Sequence, residues 1–448
     1  MLSKMPWLSS RRRLLILSVF DYLIINIIFL NLQYNQIINT NLFAINIVSF
    51  CWIITSYTLD KYSIIEDEYN LNLIQKFFRN IKIMLITGII FKAIIVIFSF
   101  FKSDVGDGRW IMLLNLIMFF SFLCEILHAF IVKKYFSKPI NWISIYSDIE
   151  KGSAFLKLTN LDKYGYFSSV HISKINDLDK LNNSKYGFIL EDINLLNNIQ
   201  KSTLINLKNQ GFKILSIMTW LERYLHRYPE EYISSTNILN EFLIYNQFNT
   251  SKRIKRFSEF LISLFLLIAL SPIIFIFAIF IKIEDKGPIL YSQNRKGFGG
   301  KIFTIYKLRS MKTNAEADGI KWSSKSDNRI TKIGYWLRKT RIDELPQLFS
   351  VLNGDMSLIG PRPERPEIDK ILEKEIPNYN LRYLVRPGLS GWAQVSYPYG
   401  ASIEDTKMKF SYDIYYIKNL STFFDLLIFL ETIRLVFNFR GSQPIKRV

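Results

Sequence analysis

Residues Phe260–Ile281 read FLISLFLLIALSPIIFIFAIFI. A helix over this stretch is long enough to cross the hydrocarbon core of a bilayer. The pair Ser271-Pro272 falls in its middle. Proline has no N–H to bond the Ile268 carbonyl, so a kink is predicted there, and the Ser271 hydroxyl is placed to satisfy a freed carbonyl. Lys252, Arg253, Lys255 and Arg256 precede the stretch, and Lys282 and Lys286 follow it. Under the positive-inside tendency both ends prefer the cytoplasmic face. Two readings follow: a re-entrant helix that enters one leaflet, bends and returns, or a kinked span that carries the rest of the chain out of the cytoplasm.

Upstream, apolar runs alternate with polar blocks, which is how a chain of 448 residues combines 49% hydrophobic residues with a net charge of +19. Four runs, about Leu14–Leu30, Leu42–Tyr57, Ile81–Phe101 and Trp110–Val132, have membrane-span length. No cleavable leader is expected. Arg11–Arg13 before the first run, the uncharged Asn31–Asn41 link, and Lys133, Lys134 and Lys138 after the fourth put both ends of the bundle in the cytoplasm. Cys51 and Cys124 both sit inside apolar runs and read as small helix-facing residues.

Residues 138–250 form a second block. Ile140–Tyr146, Phe188–Leu190 and Phe212–Met218 read as strands, and Asn194–Gln210 has helical spacing ending at Gly211. Strand–helix–strand implies a parallel, Rossmann-like α/β layer. The turn after Tyr146, SDIEKGSAF, lacks a dinucleotide fingerprint, so a structural or regulatory module is expected. His171 and His226 read as surface or packing residues.

The third block, 251–448, holds 32 Lys/Arg against 19 Asp/Glu. That surplus calls for an anionic partner, whether nucleic acid, lipid or phosphorylated substrate. Nucleic acid has only the charge in its favour, with no aromatic-basic motif. Two strands joined at Gly297–Gly300 are expected, carrying Lys307 and Arg309; the glycines lack P-loop spacing and suit a hairpin. Lys312–Asp327 is polar and expected to be mobile. Thr340–Pro363 then packs Asp343, Glu344, Asp355 and the Pro361-Arg362-Pro363 loop together, with Arg338 and Arg341 close by. Thr340 followed by Asp343 also reads as a capping box opening a helix, which would place both acids where a helix dipole lowers a carboxyl pKa. Pro387, Gly388 and Gly391 demand a tight loop, and Phe423–Phe439, interrupted by Asp425, Glu431 and Arg434, suits an amphipathic helix on the membrane interface.

Elimination narrows the chemistry. From Ser251 onward there is no histidine and no cysteine, so His-assisted Ser or Cys catalysis and His- or Cys-bound zinc are excluded within this block. Carboxylate, hydroxyl or amine must do any chemistry, and an Asp/Glu pair beside arginines suits phosphate. Magnesium is the natural cation for carboxylates with substrate phosphates.

DELPQLFSVLNGDMSLIGPRPE, the upstream KLRSM, the downstream RPGLSGWAQV and the Ser-Pro-broken helix together resemble the bacterial sugar transferase family, the polyprenyl-phosphate hexose-1-phosphate (monotopic phosphoglycosyl) transferases. The resemblance runs in order from about Lys252 to the C-terminus. Four spans followed by an α/β module resemble its large members, which start exopolysaccharide, capsule or O-antigen assembly. The resemblance implies a membrane helical bundle (1–137), an α/β module (138–250) and an α+β catalytic domain (251–448) with a re-entrant helix at about 252–282. It implies transfer of a sugar-1-phosphate, commonly of glucose or galactose, from a UDP-sugar to undecaprenyl phosphate. The reaction takes place at the cytoplasmic face of the bacterial inner membrane, with release of UMP and with Mg2+ as cofactor. It implies Asp343 as nucleophile through a covalent phospho-sugar intermediate, with Glu344 as its partner at the metal. Arg338, Arg362, Lys307 and Arg309 would hold phosphate, Arg386 and Gln394 would lie on the nucleotide side, and a homodimer is expected. The α/β block departs from large members in lacking their glycine-rich turn. Phe349 stands where a Trp is common.

Overall fold

The computed structural model describes residues 12–36, 42–59, 61–62, 73–97, 107–135, 141–147, 167–171, 173, 186–191, 196–229, 232, 249–313, 315, 329–397, 400 and 402–437. Arg11, Lys138, most of the turn after Tyr146 and nearly all of Lys312–Asp327 lie outside them. The chain divides into two compact units, Met1–Tyr224 and Leu225–Val448.

The first unit opens with four helices, α1 (Arg12–Tyr34), α2 (Leu42–Thr58), α3 (Leu73–Ile97) and α4 (Asp107–Tyr135), matching the four apolar runs. Ile25, Phe29, Val48, Trp52, Ile83 and Ile117 pack at their centre. Leu15–Tyr34 and Ile111–Ile131 are long and apolar enough to cross a membrane, whereas α2 is shorter. α3 begins eight residues before its apolar run because Lys76 and Arg79 belong to the helix. Sequence reading missed the reason these charges are tolerated. Arg79 pairs with Glu125 at 2.5 Å, and Asn80 donates to the same carboxylate at 3.0 Å. Lys61 pairs with Asp21 at 2.6 Å, and Ser121 donates to Asp21 at 2.7 Å. Buried charges in an apolar bundle persist when paired and hydrogen-bonded, as these are. Both cysteines are free, Cys51 buried.

The same unit contains a four-stranded parallel sheet in the order β2-β1-β3-β4: β1 (Asn141–Tyr146), β2 (Phe167–His171), β3 (Tyr186–Leu190) and β4 (Lys213–Ser216). The expected helix is α5, Asn198–Asn209, opened by an Asn197–Gln200 capping box and closed before Gly211 at φ +94°. β2 was not anticipated, since FSSVH has one large apolar residue and no alternation strong enough to mark a strand. β4 stops two residues short of Met218, because Ser216 caps the turn Ile217–Trp220.

The second unit is organised on α6, Asn249–Asp285, which is helical without interruption through Pro272. The Ser271 hydroxyl donates to the Ile268 carbonyl at 2.8 Å, replacing the bond that proline removes. Arg253–Asp285 is long and apolar enough to cross a membrane. With these apolar helices, the protein is membrane-associated. β5 (Leu290–Lys296) and β6 (Ile302–Leu308) form the expected hairpin, turned by Gly299 and Gly300 at φ +63° and +76°. Ile281, Leu308 and Leu337 make a core with Ile274, Phe277 and Ile342 packed on it. This core joins α6, β6 and α7 (Lys332–Thr340). After α8 (Leu348–Asn353), the short strands β7 (Ser357–Ile359) and β8 (Gly388–Ser390) run parallel, separated in sequence by α9 (Pro366–Glu375). A Cβ on Gly388 would lie 2.0 Å from the Gly360 nitrogen, and one on Gly391 2.2 Å from the Gly360 oxygen, so the tight loop is a close backbone approach. α10 (Trp392–Ser396), α11 (Ile403–Lys418) and α12 (Thr422–Phe437) complete the unit. α12 is the helix expected to lie on the membrane interface, and its polar residues turn into the unit. Glu431 and Arg434 are buried and paired, Asp425 pairs with Lys255 at 2.9 Å, and Phe423 and Leu426 face outward.

Candidate active site

Asp343 and Glu344 lie in a single 3-10 turn, Ile342–Gln347, and the way it starts corrects the capping-box expectation. Thr340 is the last residue of α7; its hydroxyl donates back to the Trp336 and Leu337 carbonyls, at 2.8 and 3.2 Å. The capping threonine is Thr331, nine positions earlier, which accepts from the Gly334 N–H. Arg341 bridges the two elements in the left-handed region, at φ +57°, a conformation that costs a non-glycine residue energy. That kink lets one residue end α7 and direct the next carboxylates into the unit. Ile342 anchors the turn in the core shared with α6 and β6.

The two acids have opposite surroundings. Glu344 accepts from Arg362 Nη2 at 2.5 Å and Lys307 Nζ at 3.2 Å, with Arg341 Nη1 at 3.9 Å. Burial pushes its pKa up, but the charges of Arg362, Lys307 and Arg341 outweigh it and hold the carboxyl well below its ordinary value. Asp343 is 7% exposed and makes no hydrogen bond or ion pair among the described residues. Burial, then the neighbouring Glu344, lifts its carboxyl to about 6, against the pull of Lys307, Arg338 and Arg362. The expected dipole-lowered Asp343 is therefore corrected: a 3-10 turn that enters from a left-handed arginine has no long helix dipole behind it, and desolvation dominates.

The other predicted residues separate clearly. Lys307 and Arg362 touch the dyad through Glu344. Arg338 is near enough to lower Asp343's pKa, while its Nε donates to Ser310 at 3.0 Å. Arg309 instead pairs with Asp285 at 2.9 Å, tying the end of β6 to the end of α6. Asp355 is exposed beyond α8 and takes no part. Arg386 is exposed. Gln394 is different, because both its amide nitrogen and oxygen are buried without a hydrogen-bond partner among the described residues. Such a group asks for a ligand or a water. Gln347, three residues after Glu344, likewise has a buried amide nitrogen without a partner.

Two arginines were missed, and both hold the backbone of the Pro-Arg-Pro arm. Arg382 Nη2 donates to the Arg362 carbonyl at 2.7 Å, while its Nε donates to Asp413 at 2.9 Å. Arg295 Nη1 donates to the Pro363 carbonyl at 3.0 Å, and the Lys296 N–H to the Glu364 carbonyl at 3.0 Å. Burial lowers the Arg295 pKa to about 10. The sequence signal for these residues is faint, since Arg295 and Arg382 act on main-chain carbonyls distant in sequence. The resulting centre is a cluster of cations around two carboxylates, a field suited to a polyanionic substrate.

The bacterial sugar transferase model matches residues 250–439. Over 186 residues the chain is 37% identical to an exopolysaccharide production protein PSS of Rhizobium leguminosarum bv. phaseoli, covering 40% of this chain and 93% of that protein. The chain belongs to the bacterial sugar transferase family. It is also similar to a UDP-N-acetylgalactosamine-undecaprenyl-phosphate N-acetylgalactosaminephosphotransferase of Aeromonas hydrophila, 46% identical over 190 residues, 42% of this chain and 45% of the relative. An undecaprenyl-phosphate glucose phosphotransferase of Komagataeibacter xylinus is 39% identical over 186 residues, 40% of this chain. The match spans under half the length of these last two relatives. The span matched by the family model, 250–439, includes every residue of the centre described above.

Proposed function

We propose that the chain is a phosphoglycosyl transferase that moves a sugar-1-phosphate from a UDP-sugar to undecaprenyl phosphate, starting a surface polysaccharide. The observation that carries this reading is the division between the two acids. Glu344 collects the cations, leaving Asp343 buried and, among the described residues, without an ion pair, so its oxygens are not engaged by another group. In the first step an Asp343 oxygen attacks the sugar-bearing phosphorus. The bond to the nucleotide phosphate breaks, UMP leaves with the electron pair, and an acyl-phosphate forms. In the second, an oxygen of the lipid phosphate attacks the same phosphorus and returns the carboxylate. Arg362, Lys307, Arg338 and Arg341 stand where negative charge accumulates. One anhydride replaces another, so positioning and charge stabilisation are the catalytic task.

The donor set fits a Mg2+ that takes most ligands from substrate phosphates and water, because Asp343 has no direct ion pair among the described residues while Glu344 is held by Arg362 and Lys307. Asp343 and Glu344 would hold it, and it would neutralise diphosphate charge. Gln394, with its unpartnered amide, is assigned to the nucleotide side.

We also read α6 as re-entrant. Near its start Lys255 pairs with Asp425, and Arg256 donates to the Leu352 carbonyl at 2.9 Å. Near its end Arg309 pairs with Asp285, and Glu284 accepts from the Lys332 N–H at 2.8 Å. Both ends are thus fastened to one compact unit, which favours one side of the membrane for both. Nucleotide sugars make that side the cytoplasm, in the bacterial inner membrane.

The test is to incubate membranes containing the chain with UDP-glucose or UDP-N-acetylgalactosamine, Mg2+ and undecaprenyl phosphate, then identify the released nucleotide. UMP with a lipid diphosphate sugar is expected. UDP would instead make the protein a simple glycosyltransferase and overturn the proposal.

A further inference from the structure

The family match begins at residue 250, yet the second unit begins at Leu225. The residues between include a short segment embedded in the unit's aromatic core. Tyr228 is fully buried, its N–H donates to the Ser411 carbonyl at 2.9 Å, and its ring lies 5.8 Å from Tyr415 with the Lys418 ammonium 4.9 Å from its face. Arg227 reaches the Met408 sulfur at 2.6 Å. His226 packs edge-on to Tyr415 and sits at φ +52°, a strained conformation for histidine. Its carbonyl accepts the indole N–H of Trp392 at 2.9 Å.

Trp392 belongs to the RPGLSGWAQV motif and is 3% exposed, 5.1 Å from the Phe424 ring. It follows β8 directly, and the backbone of β8 holds the arm that carries Arg362. The Gly388 N–H donates to the Pro361 carbonyl at 2.8 Å, and the Gly360 N–H donates to the Ser390 carbonyl at 2.8 Å. Arg362 then reaches Glu344. A continuous set of contacts therefore runs from His226 through Trp392 and β8 to the dyad.

We infer that His226–Tyr228 is a strap, supplied from outside the family-matched span, whose His226 carbonyl positions Trp392 and through it the Arg362 arm. These are positioning residues, since none of them touches the dyad. The inference deepens the transferase reading and rests on it for its kinetic test, while the strap contact itself is measured independently.

Full-length protein in nanodiscs would be compared as wild type, Trp392→Phe, Tyr228→Ala and Tyr228→Phe. Trp392→Phe removes the indole donor but keeps a ring in the core, and Tyr228→Phe keeps the strap's packing. Rates would be taken at two temperatures below the thermal transition, since a deficit due only to instability fades on cooling and a misplaced arm does not. Trp392→Phe and Tyr228→Ala are expected to lower kcat by about tenfold or more, as displacements of reacting groups do. Donor KM should move far less, and Tyr228→Phe should restore the rate. Independently, the indole N–H signal that disappears in Trp392→Phe should be protected from exchange in wild type and exposed in Tyr228→Ala. Wild-type rates in both Trp392→Phe and Tyr228→Ala, or a fast-exchanging Trp392 indole in wild type, would overturn the strap. If wild type makes no lipid product while the indole is protected, the transferase reading fails and the strap contact stands.

Discussion

Replacing Asp343 with Asn should abolish transfer and at the same time stabilise the fold. The carboxyl is lifted from its ordinary 3.8 to about 6, by burial first and by Glu344 second. At roughly 1.4 kcal/mol per pH unit, the ionised group carries a folded-state penalty of about 3 kcal/mol. An asparagine amide in the same place still loses water contacts at a cost of about 1 kcal/mol or more, so a net gain of about 1–2 kcal/mol is expected. For a unit of this size that corresponds to a rise in thermal midpoint of roughly 2–8 °C. The sign with pH is fixed. The folded chain binds the Asp343 proton more tightly than the unfolded chain, so stability is fully present below pH 4 and is lost as pH rises through 6. D343N lacks that loss, and its advantage should be widest near pH 7.5 and shrink towards pH 4.5. The assay is thermal unfolding of purified full-length protein in EDTA, which keeps a divalent cation from masking the penalty, paired with product formation in Mg2+. Equal or lower stability of D343N at pH 7.5, or a gap that does not narrow on acidification, would refute the account of the dyad. Retained transfer by D343N would refute the nucleophile.

Other perturbations separate the surrounding residues. Glu344→Gln leaves Arg362, Lys307 and Arg341 without their shared anion, so it should destabilise by about 3 kcal/mol and lose most activity, the opposite stability sign from D343N in the same unfolding experiment. Lys307→Met should reduce turnover far more than Arg309→Met, because Lys307 contacts Glu344 while Arg309 is spent on Asp285; steady-state kinetics of both at matched expression would decide it. Gln394→Leu removes a buried amide that has no hydrogen-bond partner among the described residues, so it should leave stability unchanged or raised while weakening donor binding, read as a higher KM for the UDP-sugar.

Much of this architecture was legible because it is local. Apolar runs of span length gave the four helices α1–α4, and Gly297–Gly300 between two β-rich runs gave the hairpin. Proline chemistry at Ser271-Pro272 anticipated the hydroxyl-to-Ile268 bond. Asp343, Glu344 and Arg362, which the structure brings together, could be singled out because they lie within one short stretch. What escaped was decided by partners distant in sequence. Thr340 had the spacing of a cap, but Arg341 adopts a left-handed turn that no propensity favours. Arg309 looks equivalent to Lys307, two residues earlier, and only the position of Asp285 separates them. Glu431 and Arg434 marked α12 as amphipathic, but only the structure shows that they pair with each other and are buried. Asp21 inside an apolar run was a visible oddity, but Lys61, which neutralises it, lies in a polar segment and carried no sign of its destination.

If Asp343 is the nucleophile, as proposed, its placement bears on how donor and acceptor would meet. Ile342, directly before Asp343, packs on the core made by Ile281, Leu308 and Leu337. Ile281 belongs to the half of α6 that follows Pro272. Asp343 is therefore linked to α6 through the packing of its neighbour Ile342. Arg309–Asp285 and the Glu284 bonds to the Lys332 and Ile333 N–H groups brace the same end of α6 against β6 and α7. On the proposed reaction, the packing of the second half of α6 against β6 and α7 would set where the two acids stand relative to a lipid phosphate.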